Sequence, residues 1–236
     1  MNKIYPLSLR IAIFFKNMNI SDIYKIAKIM DKETYKELKN NDVFKLNNLM
    51  LFPESPIMRL ETIEQTKQRF FTIQNNLRAD YIFYSLHDSI ESSQKEIDFI
   101  FDTIIEKLYD FFDECNFSIN RIGIGETFAS EQISEIKTLC KKDTTTRFNI
   151  NEIYRINFEK INVYDNIRVF NNLMNNNKIP QILRSKKLFY IQRDINSELV
   201  QGQYIDKSFV KNFKDGVKKL FKEDEIRQIY KRVLNE

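Results

Sequence analysis

One phrase occurs twice in this chain and constrains its fold more than any other feature. Phe83-Tyr84-Ser85-Leu86-His87-Asp88 returns as Phe189-Tyr190-Ile191-Gln192-Arg193-Asp194. Each copy reads as a strand ending in a charged pair, and each precedes an amphipathic helix pattern. The repetition predicts an internally duplicated α+β fold, an antiparallel β-meander followed by an amphipathic helix, with helices packed on the sheet. The expected division is a first half over 1–130, a connecting segment over 131–147 and a second half over 148–236.

Alternation supplies the strands. Leu7, Leu9, Ile11, Ile13 and Phe15 alternate with Ser8, Arg10, Ala12, Phe14 and Lys16, which predicts a strand over about 7–16 and not the apolar core of an export signal. Further extended segments are expected near 43–52, 57–75, 80–87, 118–128, 154–158, 161–174, 179–184 and 187–194. A helix is expected after Ser21, with Ile23, Ile26, Ala27 and Met30 on one face. A second runs over about 94–114, where Ser93 and Glu96 have capping-box spacing and Ile97, Phe101, Ile104, Leu108 and Phe111 form a stripe. Two more close the chain, near 206–222 and 224–234. Gly123 and Gly125 fall inside a strand pattern, where they leave one face bare for a close neighbour and do not open a dinucleotide loop.

Composition narrows the functional classes. An apolar fraction of 42%, with 20 Phe and 11 Tyr, specifies a folded core. Against 37 basic side chains stand 33 acidic ones, so any basic surface must come from local segregation. Cys115 and Cys140 are too few for a disulfide framework or a four-cysteine zinc site, and read as reduced thiols of a cytoplasmic protein, Cys115 packing beside the first stripe. No apolar run is long enough to span a membrane, so no membrane association is expected.

Two charge ridges are the clearest candidates for function. Asp98, Asp102, Glu106 and Asp110 recur every four residues on one helix; Lys207, Lys211, Lys214, Lys218 and Lys222 cluster on another, beside Phe209, Phe213, Val217 and Leu220, with Gly216 at the border. The lysines admit three readings: a solvated face, a phosphate-contacting ridge helped by Arg184, Lys186 and Lys187, or a surface facing the acidic ridge. The repeated pairs His87-Asp88 and Arg193-Asp194 read as structural, because strand neighbours face opposite sides and cannot form an acid–base dyad.

Catalytic patterns are largely missing. A single histidine precludes a histidine-rich metal site, and there is no Walker loop or Gly-x-Ser-x-Gly elbow. Glu37-Leu38-Lys39 and Glu135-Ile136-Lys137 match a nuclease triplet but fall outside strand patterns. A carboxylate metal site would have to be built from Asp80, Asp88, Glu126 and Asp194. No catalytic residue, metal or cofactor is assigned.

Tyr5-Pro6 at the first strand, Arg121-Ile122-Gly123-Ile124-Gly125 in the centre and Arg193-Asp194-Ile195-Asn196 near the end together resemble a sporadically distributed, uncharacterised bacterial protein family. That family's central strand reads Arg-Ile-Gly-Leu and runs on toward an Asn; here Ile124 replaces the Leu and Glu126-Thr127 stands where that continuation belongs. The resemblance implies an accessory protein of mobile-element or phage-defence neighbourhoods and carries over no catalytic residue. The resulting expectation is a non-enzymatic cytoplasmic interaction protein, acting as a homo-oligomer or as a subunit with a protein partner. The alternatives are a nucleic-acid-binding protein using the lysine ridge and a metal-dependent nuclease.

Overall fold

In a computed structural model, described for residues 3–16, 48–52, 57–74, 78–131, 149–158, 161–171, 176–186, 188–198 and 205–235, the chain is α+β. Nine strands form one sheet: β1 (Ile4–Phe15), β2 (Asn48–Phe52), β3 (Ile57–Ile63), β4 (Lys67–Gln74), β5 (Arg78–Ser85), β6 (Ile119–Glu131), β7 (Asn149–Phe158), β8 (Ile161–Phe170) and β9 (Leu188–Ser197). Their order is β2-β3-β4-β5-β1-β6-β9-β8-β7, and every adjacent pair is antiparallel. The helix expected after Ser21 and most of the connection over 131–147 lie outside the described residues.

The two halves therefore share a sheet, joined where β1 pairs with β6. On one side β5, β4 and β3 follow β1 outward; on the other β9, β8 and β7 follow β6. The repeated phrase does not occupy matching places, however. His87-Asp88 lies just beyond the end of β5, whereas Arg193-Asp194 lies inside β9, with one residue on each face.

Helices α1 (Ile90–Glu114), α2 (Lys207–Leu220) and α3 (Glu223–Asn235) pack on one face. The alternation explains why: Leu9, Ile11, Ile13 and Phe15 of β1, Tyr81 and Phe83 of β5, and Ile122 and Ile124 of β6 are buried there against the stripe Ile97, Phe101, Ile104, Leu108 and Phe111. Cys115, half-buried, packs against the same core. Asn116, at φ 59°, takes the left-handed position that ends α1.

Three local expectations need correction. Helix α1 starts at Ile90, with the Ser89 hydroxyl accepting from the Ser92 amide at 3.3 Å. Ser93 instead donates to the Pro6 carbonyl at 2.6 Å, beside a register shift between Pro6 and Ser8. Strand β1 thus begins before Pro6 and absorbs it at a bulge. The segment 179–184 is not a strand: short 3-10 turns at Asn176–Lys178 and Gln181–Leu183 carry Ile179 and Leu183 onto the opposite face. There, with Tyr5, Leu7, Ala129 and Tyr190, they close a second, smaller core.

Gly216 is where α2 meets β7. A Cβ added there would lie 2.6 Å from the Phe158 ring, so the glycine permits the approach. Gly216→Ala adds about 1 kcal/mol of helix propensity but overpacks the ring contact by about 1–3 kcal/mol. The expected result is a net loss of about 1 kcal/mol in urea denaturation; a stabilised variant would show that Phe158 yields freely.

Candidate partner-binding face

The register assembles a polar trough on the sheet face opposite the helices. Directly paired residues share a face, so one row across the sheet runs Arg59, Thr72, Asp80, Ala12, Gly123, Asn196, Tyr164. The next runs Glu61, Phe70, Ile82, Arg10, Gly125, Asp194, Asn166. Beside them Phe14 pairs with both Arg78 and Arg121. Residues separated by more than a hundred positions thus converge over the glycine floor of β6.

The charges in the trough are organised around Asp80, which is 1% exposed. Its carboxylate accepts from Arg10 Nε at 2.9 Å and from Arg78 Nε at 2.8 Å. Arg121 lies over the Phe14 ring at 3.9 Å, and Arg78 stands 5.7 Å from the same ring. Burial pushes the Asp194 carboxyl above its ordinary value, opposed by a hydrogen bond from Asn196 and by the charges of Arg10, Arg121 and Arg78. Burial also lowers Arg121, partly offset by Asp194.

Gly123 and Gly125 leave a face bare, and β9 fills it with side chains and, over Gly125, with the Arg193 carbonyl, 3.5 Å from an added Cβ. A Cβ at Gly123 would meet Asn196 Oδ1 at 2.4 Å, and one at Gly125 would meet Asp194 Oδ1 at 3.3 Å. The side chains of β9 lean into the vacated space. Arginines outnumber carboxylates here: Arg59, Arg10, Arg78, Arg121 and Arg168 share the face with Glu61, Asp80 and Asp194. Arg121 Nε, Thr72 Oγ1 and Asn166 Oδ1 are shielded from solvent without a hydrogen-bond partner among the described residues. Such groups are costly unless something supplies the missing bond.

The two charge ridges face one another within the chain. Lys207 reaches both Asp110 oxygens at 2.9 Å, Lys214 pairs with Glu106, and Lys218 reaches Asp102 at 2.6 and 2.7 Å. Three of the five ridge lysines are thereby drawn to α1, which fixes the register of two antiparallel helices more than it adds stability. Lys211 and Lys222 remain exposed. Lys186 pairs with Glu131, Arg184 donates to the Ile179 carbonyl of its own segment at 3.3 Å, and Lys187 lies outside the described residues. Arg184 and Lys186 thus make contacts away from the lysine ridge.

The repeated pairs hold elements together. His87 Nε2 lies 2.8 Å from Glu96 Oε2, and Lys67 joins the same carboxylate at 2.9 Å. Asp88 accepts from the Ile182 amide at 2.9 Å, tying the 3-10 segment down. Arg193 is buried on the helix side, forked onto Asp165 and bonded to the Leu220 carbonyl at the end of α2. Asp194 alone of the four faces the trough.

The four carboxylates considered for a metal do not converge. Asp80 and Asp194 lie on the face opposite the helices, Glu126 is on the helix face, and Asp88 follows β5. Among the described residues, no three His, Cys, Asp or Glu side chains are grouped to hold a metal ion. The trough arginines other than Arg121 escaped notice because strand register is a long-range property. Their one local signal is a cation at the polar positions of a strand whose other face is wholly apolar. In comparisons with known proteins, no family model and no curated protein matches this chain.

Proposed function

We propose that the protein is a non-enzymatic, cytoplasmic interaction protein whose working surface is the sheet face opposite the helices, where Arg10, Arg78 and Arg121 hold an anionic group of a protein partner. The observation that carries this reading is the arginine excess over a glycine floor, with shielded and unpartnered polar atoms at Arg121, Thr72 and Asn166. A flat, preformed platform anchored by Asp80 keeps the guanidinium groups in place before any partner arrives. Exposed Ile153 and Tyr164, towards the β7 edge of the face, add apolar contact. The matching strand order of the two arms supports a duplicated origin. The motifs around Tyr5-Pro6, Arg121 to Gly125 and Arg193 to Asn196 support an accessory role in a mobile-element or defence system, with the protein assembling with itself or a partner subunit.

Nucleic acid is the second reading, favoured by one observation: Phe14 and Tyr164 share the face with the arginines, the combination that binds unpaired bases and phosphates. Fluorescence anisotropy with labelled single-stranded RNA and DNA, set against an acidic peptide probe, separates the two. Arg121→Gln is expected to weaken whichever probe binds by about ten-fold, the loss of one charge-assisted contact. It also makes the salt dependence shallower by about one unit of log–log slope if the ligand is a polyphosphate. Unchanged binding in Arg121→Gln, with Lys211→Gln and Lys222→Gln abolishing it, would move the site to the helix face.

A further inference from the structure

On the helix side of the sheet, a cleft of about 280 Å³ opens between the N-terminal half of α1 and the C-terminal end of α2. Ile97, Phe101 and Phe221 line it with apolar surface, and Gln94 and Asp98 with polar groups. Among the described residues, the sheet contributes Glu126 to the cleft. Glu126 is 3% exposed, and its Oε1 has no hydrogen-bond partner among the described residues.

Among the described residues nothing relieves that carboxyl. Its cross-strand neighbour Arg193 spends its guanidinium on Asp165 and the Leu220 carbonyl. Lys218 is bound to both oxygens of Asp102. The charge acting on Glu126 is instead the Asp98 carboxylate, which adds to burial in pushing its pKa well above the ordinary range. Two carboxyl groups, aromatic walls and an orphaned acceptor leave one need unmet, a donor for Glu126, since Lys218 is spent on Asp102 and Lys222 lies exposed on the rim.

We propose that this cleft is a binding site for a small organic cation, an alkylammonium or guanidinium group held between Glu126 and Asp98 against Phe101 and Phe221. The site is independent of the sheet face. Its volume sits at the lower end for small-molecule sites, which suits a short chain of four or five carbons. The bound cation favours the ionised carboxylate, so a proton leaves Glu126 for solvent as the ligand enters, and affinity rises with pH. Lys222 on the rim opposes the incoming charge, Glu223 beside it does not, and Asp98 attracts it.

Calorimetric titration of the full chain tests this with agmatine and putrescine as cationic probes and inorganic phosphate as the anionic one. The expected result is one amine per chain, with proton release revealed by comparing buffers of different ionisation heat. Binding should weaken by about ten-fold or more in Glu126→Gln. The rim variant Asp98→Asn should weaken it too, while Lys222→Gln should tighten it. Three results would overturn the proposal: no heat from either amine, amine affinity unchanged in both Glu126→Gln and Asp98→Asn, or phosphate binding that Lys222→Gln abolishes.

Discussion

Arg193→Ala is expected to cost about 3–5 kcal/mol of stability, the penalty for leaving one member of a buried ion pair without the other. Arg193 and Asp165 are 5% and 1% exposed, and the guanidinium forks onto the carboxylate, Nη2 to Oδ2 at 2.6 Å and Nε to Oδ1 at 3.1 Å. The same side chain bonds to the Leu220 carbonyl, so one truncation strands a carboxylate and unties the end of α2 from the sheet. Arg193→Lys should fare little better, since an ammonium cannot reproduce the fork. Thermal unfolding reads the loss as a fall in Tm of about 10 °C or more for a chain of this length. The double variant Arg193→Met with Asp165→Leu should recover most of it, because both charges then leave the interior together. A single variant within about 1 kcal/mol of the parent would mean that water already reaches the pair.

That pair also shows what the sequence could and could not reveal. Arg193 was legible as a cation with a structural task, but its partner lies on a neighbouring strand and its acceptor at the end of a helix. The helix stripe from Ile97 to Phe111 was legible because its spacing is local, and all five residues are buried. Alternation likewise marked the faces of β1 and β6. The start of α1 was misplaced because Ser93 and Glu96 have the right spacing for a cap while Ser89 performs it; Pro6 and His87 claim the other two. Ile179 and Leu183 fit a strand run by composition, yet Pro180 and the second core dictate turns. The facing of the acidic and lysine ridges was one of three readings, since charge alone does not say what lies opposite. The trough was least legible of all. Arg10, Asp80, Arg121 and Asp194 become neighbours only through three strand registers, and none of those is written in any one segment.

Glu126→Gln is expected to raise stability by about 1–3 kcal/mol at pH 8, the cost of burying a carboxylate without partners. The sign follows from linkage. Burial and Asp98 hold the folded-state pKa of Glu126 above its ordinary 4.5, so across the window above 4.5 the folded protein carries more protons than the unfolded chain. This residue therefore opposes folding progressively as pH rises, and contributes nothing below 4.5, where both states are protonated. Urea denaturation of the two proteins should give midpoints that coincide near pH 4 and separate toward pH 8. Taking the difference removes the background of other groups, including Asp98, Lys218, Lys222, Glu223 and Arg193 around the same carboxyl. Equal midpoints at every pH would mean that Glu126 is ionised and solvated in the folded protein. A chain that keeps a glutamate where glutamine is more stable needs a reason for the charge. An ammonium or guanidinium ligand supplies one, since saturating amine should stabilise the parent and leave Glu126→Gln almost unmoved. The residue that weakens the empty fold is then the one that makes the cleft selective.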